Sequence, residues 1–405
     1  MAGASAGGMK TRAPEPRWDL IEQHFEEAAL AWPRFEAALE ADDRGLAAVA
    51  GREEERLLAH VDGLVVAGEP AFSRLLGPAL RGKDPARAFA AGLAACLGAP
   101  GAEPVLSALE DARGPTAAAL ARALELAPVD AVRARLVARL ADAPEYVRDT
   151  VLAILAARGD APGPSVSIHV SSMTTSPAPA RQAAGWRACL AWSQAIEPRR
   201  LDEALRSHFW EVRAAAIEVG LLRGLAPAWR ACADVVAELS PAGAVARLAL
   251  AVRSGAEEVA LLQSAVAAGR PAVKVHALWA LGFAGTDAAV AACLAHVGDE
   301  SLGRAAAESV DCIVGAGRRS GGKVDFRFRQ GVRYASGQPL DGRLIEVLAD
   351  ATMSRRPGWA FEIALRTRGR HRVPVRALSQ RQRLAEAALS GPDGLRETKD
   401  VGVYA

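Results

Sequence analysis

Apolar and small residues recur along most of the chain in steps of three and four, the spacing that lines one face of an α-helix. Val273, Ala277, Leu278 and Leu281 are one such face. These steps sit inside a longer period. An apolar or small anchor, often followed by Arg or Lys, has a small or β-branched residue four positions on and a glycine twelve positions on. The pattern is complete in Ala86-Arg87 to Gly98, Val147-Arg148 to Gly159, Val212-Arg213 to Gly224 and Val273-Lys274 to Gly285, with Ala90, Val151, Ala216 and Ala277 at the fourth position. Weaker copies anchored at Arg56, Ala117, Ala180, Val245 and Leu302 complete a series with steps of 30, 31, 30, 33, 32, 33, 28 and 29 residues.

A period of about thirty residues holds two helices of roughly eleven residues and two short turns. The anchored segment reads as the second helix of each hairpin. A small residue at its fourth position lets a neighbouring helix come close. The closing glycine can take the left-handed conformation that ends a helix. Pro85, Pro144, Pro241 and Pro271 suit a turn or a first helical position. Asp84, Glu145, Glu211 and Glu300 precede their anchors and face the positive end of the second helix. One hairpin cannot bury its apolar face alone, whereas stacked hairpins form a continuous core. The expected fold class is therefore all-α: an α-solenoid of short helical hairpins over residues 56–317, with a small β-hairpin near the C-terminus.

Two stretches break the period. Residues 160–180 carry four prolines and the alternation Val166, Ile168, Val170, which predicts a loop with a short extended piece. Such a loop suits either partner binding or a tolerated degenerate repeat. Residues 318–338 read as a basic linker or hairpin: Val324, Phe326 and Phe328 alternate with charged residues, and a turn at Gln330-Gly331 leads into Val332–Ala335. Residues 17–55 are expected to form an N-terminal helical cap, with a helix from Trp18 to Leu39 interrupted near Pro33. Residues 339–390 are expected to form a C-terminal cap with helices at 342–351, 359–367 and 379–389. Disorder is expected for 1–16 and fraying for 391–405.

The anchor, small-residue and glycine positions resemble the short bacterial form of HEAT repeats. More specifically, His60-Val61-Asp62-Gly63-Leu64 followed by Ala67-Gly68-Glu69 resembles the opening motif of an uncharacterised bacterial family of HEAT-like-repeat proteins associated with type VI secretion gene clusters. Gly337-Gln338-Pro339-Leu340 and Gln380-Arg381-Gln382-Arg383-Leu384 resemble its C-terminal motifs. The likeness runs from about Trp18 to Leu389. It implies a non-catalytic accessory or effector-adaptor role, and it carries over no catalytic residue.

Composition narrows the class further. The chain has 405 residues, 51% hydrophobic and 24% charged, with a net charge of +2, which excludes disorder as its main state. Five cysteines are too sparse for a disulfide-stapled scaffold. The first sixteen residues lack the apolar core of a secretory signal, and no apolar run approaches the roughly 18 residues of a membrane span. A cytoplasmic location is expected. The near-neutral total conceals an asymmetry: Glu15–Glu55 holds twelve acidic residues against four arginines, and Arg318–Arg383 holds sixteen basic residues against five acidic ones. Such a distribution steers an oppositely charged partner, or is a solvated surface.

No motif for chemistry stands out. Cys-x-x-Cys, His-Glu-x-x-His, Gly-x-Ser-x-Gly and a P-loop are all absent. Cys293 with His296, and Cys312 with His276, are the nearest approach to a zinc set, but Cys96, Cys189 and Cys312 share a repeat position that suits small core residues. No catalytic residue, metal or cofactor is expected. An accessory of the kind found among the HEAT-like subunits of pigment lyases would need a ligand pocket with a reactive group, and the sequence offers none. The reading is a non-enzymatic protein-binding scaffold or adaptor. Arg87, Arg148, Arg181, Arg213, Lys274 and Arg304 recur along the second helices as partner-binding candidates, or else pair with acids of adjoining repeats and hold the stack together. Trp210 is a further candidate anchor at a turn, or a core tryptophan. His60 reads as a hydrogen-bonding structural residue. The alternative is nucleic-acid binding through Arg366, Arg368, Arg370 and Arg372, with Phe326, Phe328 and Tyr334 stacking on bases. No membrane partner is expected.

Overall fold

The computed structural model describes residues 16–127, 129–160, 166–192, 194–320 and 323–390. The disorder expected for 1–16 and the fraying expected for 391–405 therefore lie, but for residue 16, outside the described residues. Helix α1 (Trp18–Ala38) is followed by α2 (Leu46–Val49), a π-helical turn and α3 (Glu55–Ala71). A second π-helical turn and α4 (Gly77–Leu80) lead to α5 (Pro85–Leu97), α6 (Glu103–Asp111) and α7 (Gly114–Leu126). Then come α8 (Val129–Asp142), α9 (Glu145–Arg158), α10 (Ser167–Thr174), α11 (Pro179–Ala191), α12 (Pro198–Leu205) and α13 (Trp210–Leu222). The series continues with α14 (Ala226–Val235), α15 (Pro241–Arg253), α16 (Ala256–Ala268), α17 (Pro271–Leu281), α18 (Asp287–Leu294) and α19 (Gly303–Val314). Two short hairpins, β1 (Arg319–Ser320) with β2 (Lys323–Val324) and β3 (Tyr334–Ala335) with β4 (Gln338–Pro339), precede α20 (Leu344–Asp350), α21 (Arg356–Arg366) and α22 (Ser379–Leu389).

The chain divides into two units. One contains residues up to Arg34 together with Glu55–Val132; the other contains Phe35–Glu54 and everything from Arg133 onward. In the first unit α3, α5 and α7 pack side by side, and Trp32 stacks on Phe89 with ring centroids 4.4 Å apart. In the second unit α9, α11, α13, α15, α17 and α19 pack in that order, each of the last five also against the helix before it. This is an α-solenoid of short HEAT-like hairpins. The sequence anchors fall at the starts of the second helices, and Ala90, Val151, Ala216 and Ala277 are fully buried where neighbouring helices meet. Gly159, Gly224 and Gly285 adopt φ of 74°, 69° and 69°, the left-handed turn that ends a helix. Gly98 departs from this and leaves α5 in an extended conformation.

Three local expectations change. Ser167–Thr174 is helical, in place of the loop with an extended piece expected over residues 160–180; residues 161–165 lie outside the described set. The alternating Val166, Ile168, Val170 misled because Ile168 is 78% exposed. The buried face is Val166, Val170 and Met173, a helical spacing, and Gly185 of α11 lets α10 settle on it. Helix α1 runs through Pro33, whose ring lies on the exposed side. Residues 325–329 do not form a strand. Phe326 and Phe328 instead gather edge-on around Tyr334, with centroids 5.0 and 5.5 Å from its ring.

The C-terminal elements are part of the core of the second unit. The β3–β4 turn finishes α19: the Ser336 and Gly337 amides donate to the Cys312 and Ile313 carbonyls at 2.7 and 2.9 Å, groups the helix end would leave unpaired. Helix α21 packs against α13 and α15, and Trp359 meets Phe283 edge-on at 4.8 Å. Residues 41–45 of the same unit lie beside the approach to α21: the Met353 and Ser354 amides donate to the Arg44 and Ala41 carbonyls at 2.8 and 3.0 Å.

Candidate partner-binding surface

The basic residues of the second helices are mostly engaged. In the first unit Arg87 pairs with Glu26 at 2.7 Å, and Asp84 caps α5 by accepting the Ala86 and Arg87 amides. In the second unit Arg181 of α11 reaches back to Glu145 and to Asp149 of α9, the latter at 2.8 Å. Arg213 of α13 reaches forward to Glu238 in the turn before α15. Arg148 donates to the Ala143 carbonyl at 2.9 Å. Arg304 holds Glu308 at 2.7 Å and Asp42 at 2.8 Å. Lys274 is half-buried on α17. A further link, not singled out in the sequence, is buried Arg247: its Nη1 donates to the Val236 and Glu238 carbonyls and its Nε to His276 Nδ1 at 3.2 Å. Burial, and then the Arg247 charge, push His276 down to about 4. Burial raises the Asp149 carboxyl above its ordinary value against the pull of Arg181. The Arg181 and Arg213 pairs and the Arg247–His276 contact tie neighbouring helices of successive repeats together, and the charges of Arg87, Arg181, Arg213 and Arg304 are met by carboxylates.

The C-terminal basic run divides. Arg366 donates to Glu362 at 2.6 Å, and Arg333 clamps the same carboxylate with two guanidinium nitrogens. Burial alone would raise the Glu362 carboxyl, but Arg333 and Arg366 together hold it below its ordinary value. Arg368, Arg370 and Arg372 stay exposed. Arg376 pairs with Glu36 at 2.6 Å and Glu40 at 3.0 Å, so part of the acidic head compensates part of the basic tail. The two C-terminal motifs act inside the fold. Gln382, fully buried, accepts from Arg356 and donates to the Val375 and Ala377 carbonyls.

The thiols sit in packing positions. Cys189 is pushed up to about 11 and Cys293 up to about 12, in both cases by burial first. Among the described residues no group of three or more His, Cys, Asp or Glu side chains is placed to hold a metal ion. No described helix is long and apolar enough to cross a membrane.

In the second unit several large apolar side chains are exposed where first helices turn into second helices. Phe209 and Trp210, at the head of α13, are 39% and 47% exposed, and His208 lies against Phe209 with centroids 3.9 Å apart. Tyr146 at the head of α9 and Leu239 in the turn before α15 are exposed on the same edge. The Glu145–Arg181 and Arg213–Glu238 pairs lie beside these side chains. Only Trp210 of this group was marked by the sequence. Phe209, Tyr146 and Leu239 each sit one to six positions ahead of an anchor, and that shared place was the available signal.

No family model and no curated protein matches the chain. Among solved structures, YibA of Escherichia coli is 13% identical with a TM-score of 0.32, covering 75% of this chain and 99% of its own. Human deoxyhypusine hydroxylase in complex with glycerol is 20% identical with a TM-score of 0.28, covering 72% of this chain and 97% of its own. Both are HEAT-like helical proteins, and at these identities the likeness extends to the fold alone. One expectation is corrected by them: the hydroxylase is an enzyme, so a helical-repeat chain without a nucleophile motif is not thereby excluded from catalysis.

Proposed function

We propose that the chain is a protein-binding scaffold or adaptor of the cytoplasm that docks its partner on the turn edge carrying Tyr146, Phe209, Trp210 and Leu239. The exposure of Phe209 and Trp210 side by side supports this reading most strongly. Large aromatic side chains dominate binding energy where they become buried in a partner's pocket. The neighbouring Arg181 and Arg213 are already paired, so a partner meeting this edge need not strip water from uncompensated charge. The resemblance of the end motifs makes a type VI secretion effector or component the first partner to try.

The test is affinity purification from the native host, with intact chain beside a Phe209→Ser, Trp210→Ser variant. The expected result is a partner recovered with the intact chain and lost with the variant at unchanged melting temperature. Identical recovery with both chains would refute the docking edge. The exposed Arg368, Arg370 and Arg372 favour a second reading, nucleic-acid binding. That reading requires a DNA or RNA affinity that falls steeply with salt and drops when the three arginines become glutamine.

A further inference from the structure

The opening motif of the sequence contains a histidine whose place in the fold has no part in the docking edge. In the first unit His60 of α3 faces His24 of α1, Nδ1 to Nδ1, at 3.1 Å. The ring centroids are 5.3 Å apart. That is about the nitrogen separation plus two ring radii, so the two nitrogens point almost directly at one another. One proton fits between them, donated by one ring and accepted by the other. With both rings protonated, two N–H donors and two positive charges would stand head to head.

The chain makes room for this pair. A Cβ at Gly63 would stand 2.8 Å from the His24 ring, so the glycine three residues after His60 seats the opposing histidine. The surroundings are charged but balanced. Arg56 of α3 holds Glu27 of α1 at 2.7 Å, Arg74 holds Glu22 at 2.9 Å, and Arg87 of α5 holds Glu26 at 2.7 Å. Glu27 and Arg56 act on His60 in opposite directions. Burial first, and then His24, lower the His60 pKa from its ordinary value.

We propose that the His24–His60 pair is an acid-sensitive latch between α1 and α3, closed while the two rings share one proton and released when both are protonated. The unfolded or parted rings take up protons below about pH 6.5, whereas the closed pair resists the second one. Latch stability is therefore complete above that pH and falls as the pH drops below it. The three ion pairs join α1 to α3, to the turn after it and to α5 at other points, so they hold the rest of α1 while the latch opens.

The test is hydrogen–deuterium exchange by mass spectrometry on the intact chain at pH 7.5 and pH 5.5, corrected for the intrinsic exchange rate. The expected result is about tenfold faster exchange at pH 5.5 in peptides covering residues 18–34 and 55–66, with His60→Asn and His24→Asn each losing that acid response. Acid response preserved in both variants, or absent from the intact chain, overturns the latch. Should either variant fold poorly, nitrogen NMR of the two rings in the intact chain decides instead. A single shared proton at pH 7.5 and a second taken up cooperatively with α1 exchange supports the latch; independent titration of the two rings refutes it.

Discussion

Single residues in this molecule carry charge where little water reaches, and pH is the lever that exposes their roles. Glu362 is fully buried between Arg333 and Arg366 and is held below its ordinary carboxyl value. Its stabilisation is present above the unfolded value, about 4.3, and is lost as pH falls through the lower folded value. Glu362→Gln leaves two guanidiniums facing a neutral amide, and should cost about 3–5 kcal/mol at pH 7. Urea denaturation should show that gap closing below about pH 4. His276 works in the other range. Kept neutral down to about 4 by burial and by Arg247, it stays unprotonated where an unfolded histidine takes up a proton. Stability should therefore fall from about pH 6.5 towards pH 4, by roughly 1.4 kcal/mol per unit at most. His276→Asn should flatten that part of the profile in paired urea titrations at pH 7.5 and pH 5; a profile that keeps its slope would remove His276 as the cause.

At the scale of elements, small residues decide which helices touch. Ala216 on α13 is fully buried where the second helices stack, and Gly185 on α11 would place a Cβ 2.7 Å from the backbone of α10. Ala216→Leu and Gly185→Ala should each lower stability by about 1–3 kcal/mol through overpacking, read as a lower urea midpoint at unchanged slope. This is also where the sequence was most legible. The spacing of anchor, small residue and glycine reports helix register directly where it is complete, because Ala90, Val151, Ala216 and Ala277 are all fully buried at the same step of their helices. Legibility failed where two periods coincide. Val166, Ile168 and Val170 satisfy a strand, while Val166, Val170 and Met173 satisfy a helix, and only the packing of α10 on Gly185 selects between them. The docking edge was legible at Trp210 alone, since exposure of Phe209, Tyr146 and Leu239 depends on turns whose geometry local spacing does not encode.

Across the second unit as a whole, the C-terminal segment works as core rather than as an appendage. The charge asymmetry marked both ends of the chain as notable without telling which acid meets which base, because Arg376 and Glu36 are hundreds of positions apart and no local pattern links them. Once folded, α21 covers part of α13 and α15, Trp359 lies on Phe283, and Gly358 leaves room for that ring where a Cβ would stand 2.3 Å away. A stack held by nearest-neighbour contacts alone would survive loss of its last helices with only local change. This one should not, since removing residues 340–390 uncovers apolar surface on repeats well inside the stack. The truncated chain is expected to bind a hydrophobic dye and to lose cooperative unfolding, and Trp359→Ala in the full chain should cost about 3–5 kcal/mol. If the truncated chain instead melts at the same temperature without dye binding, the closing segment is a passive cover and the stack is self-sufficient.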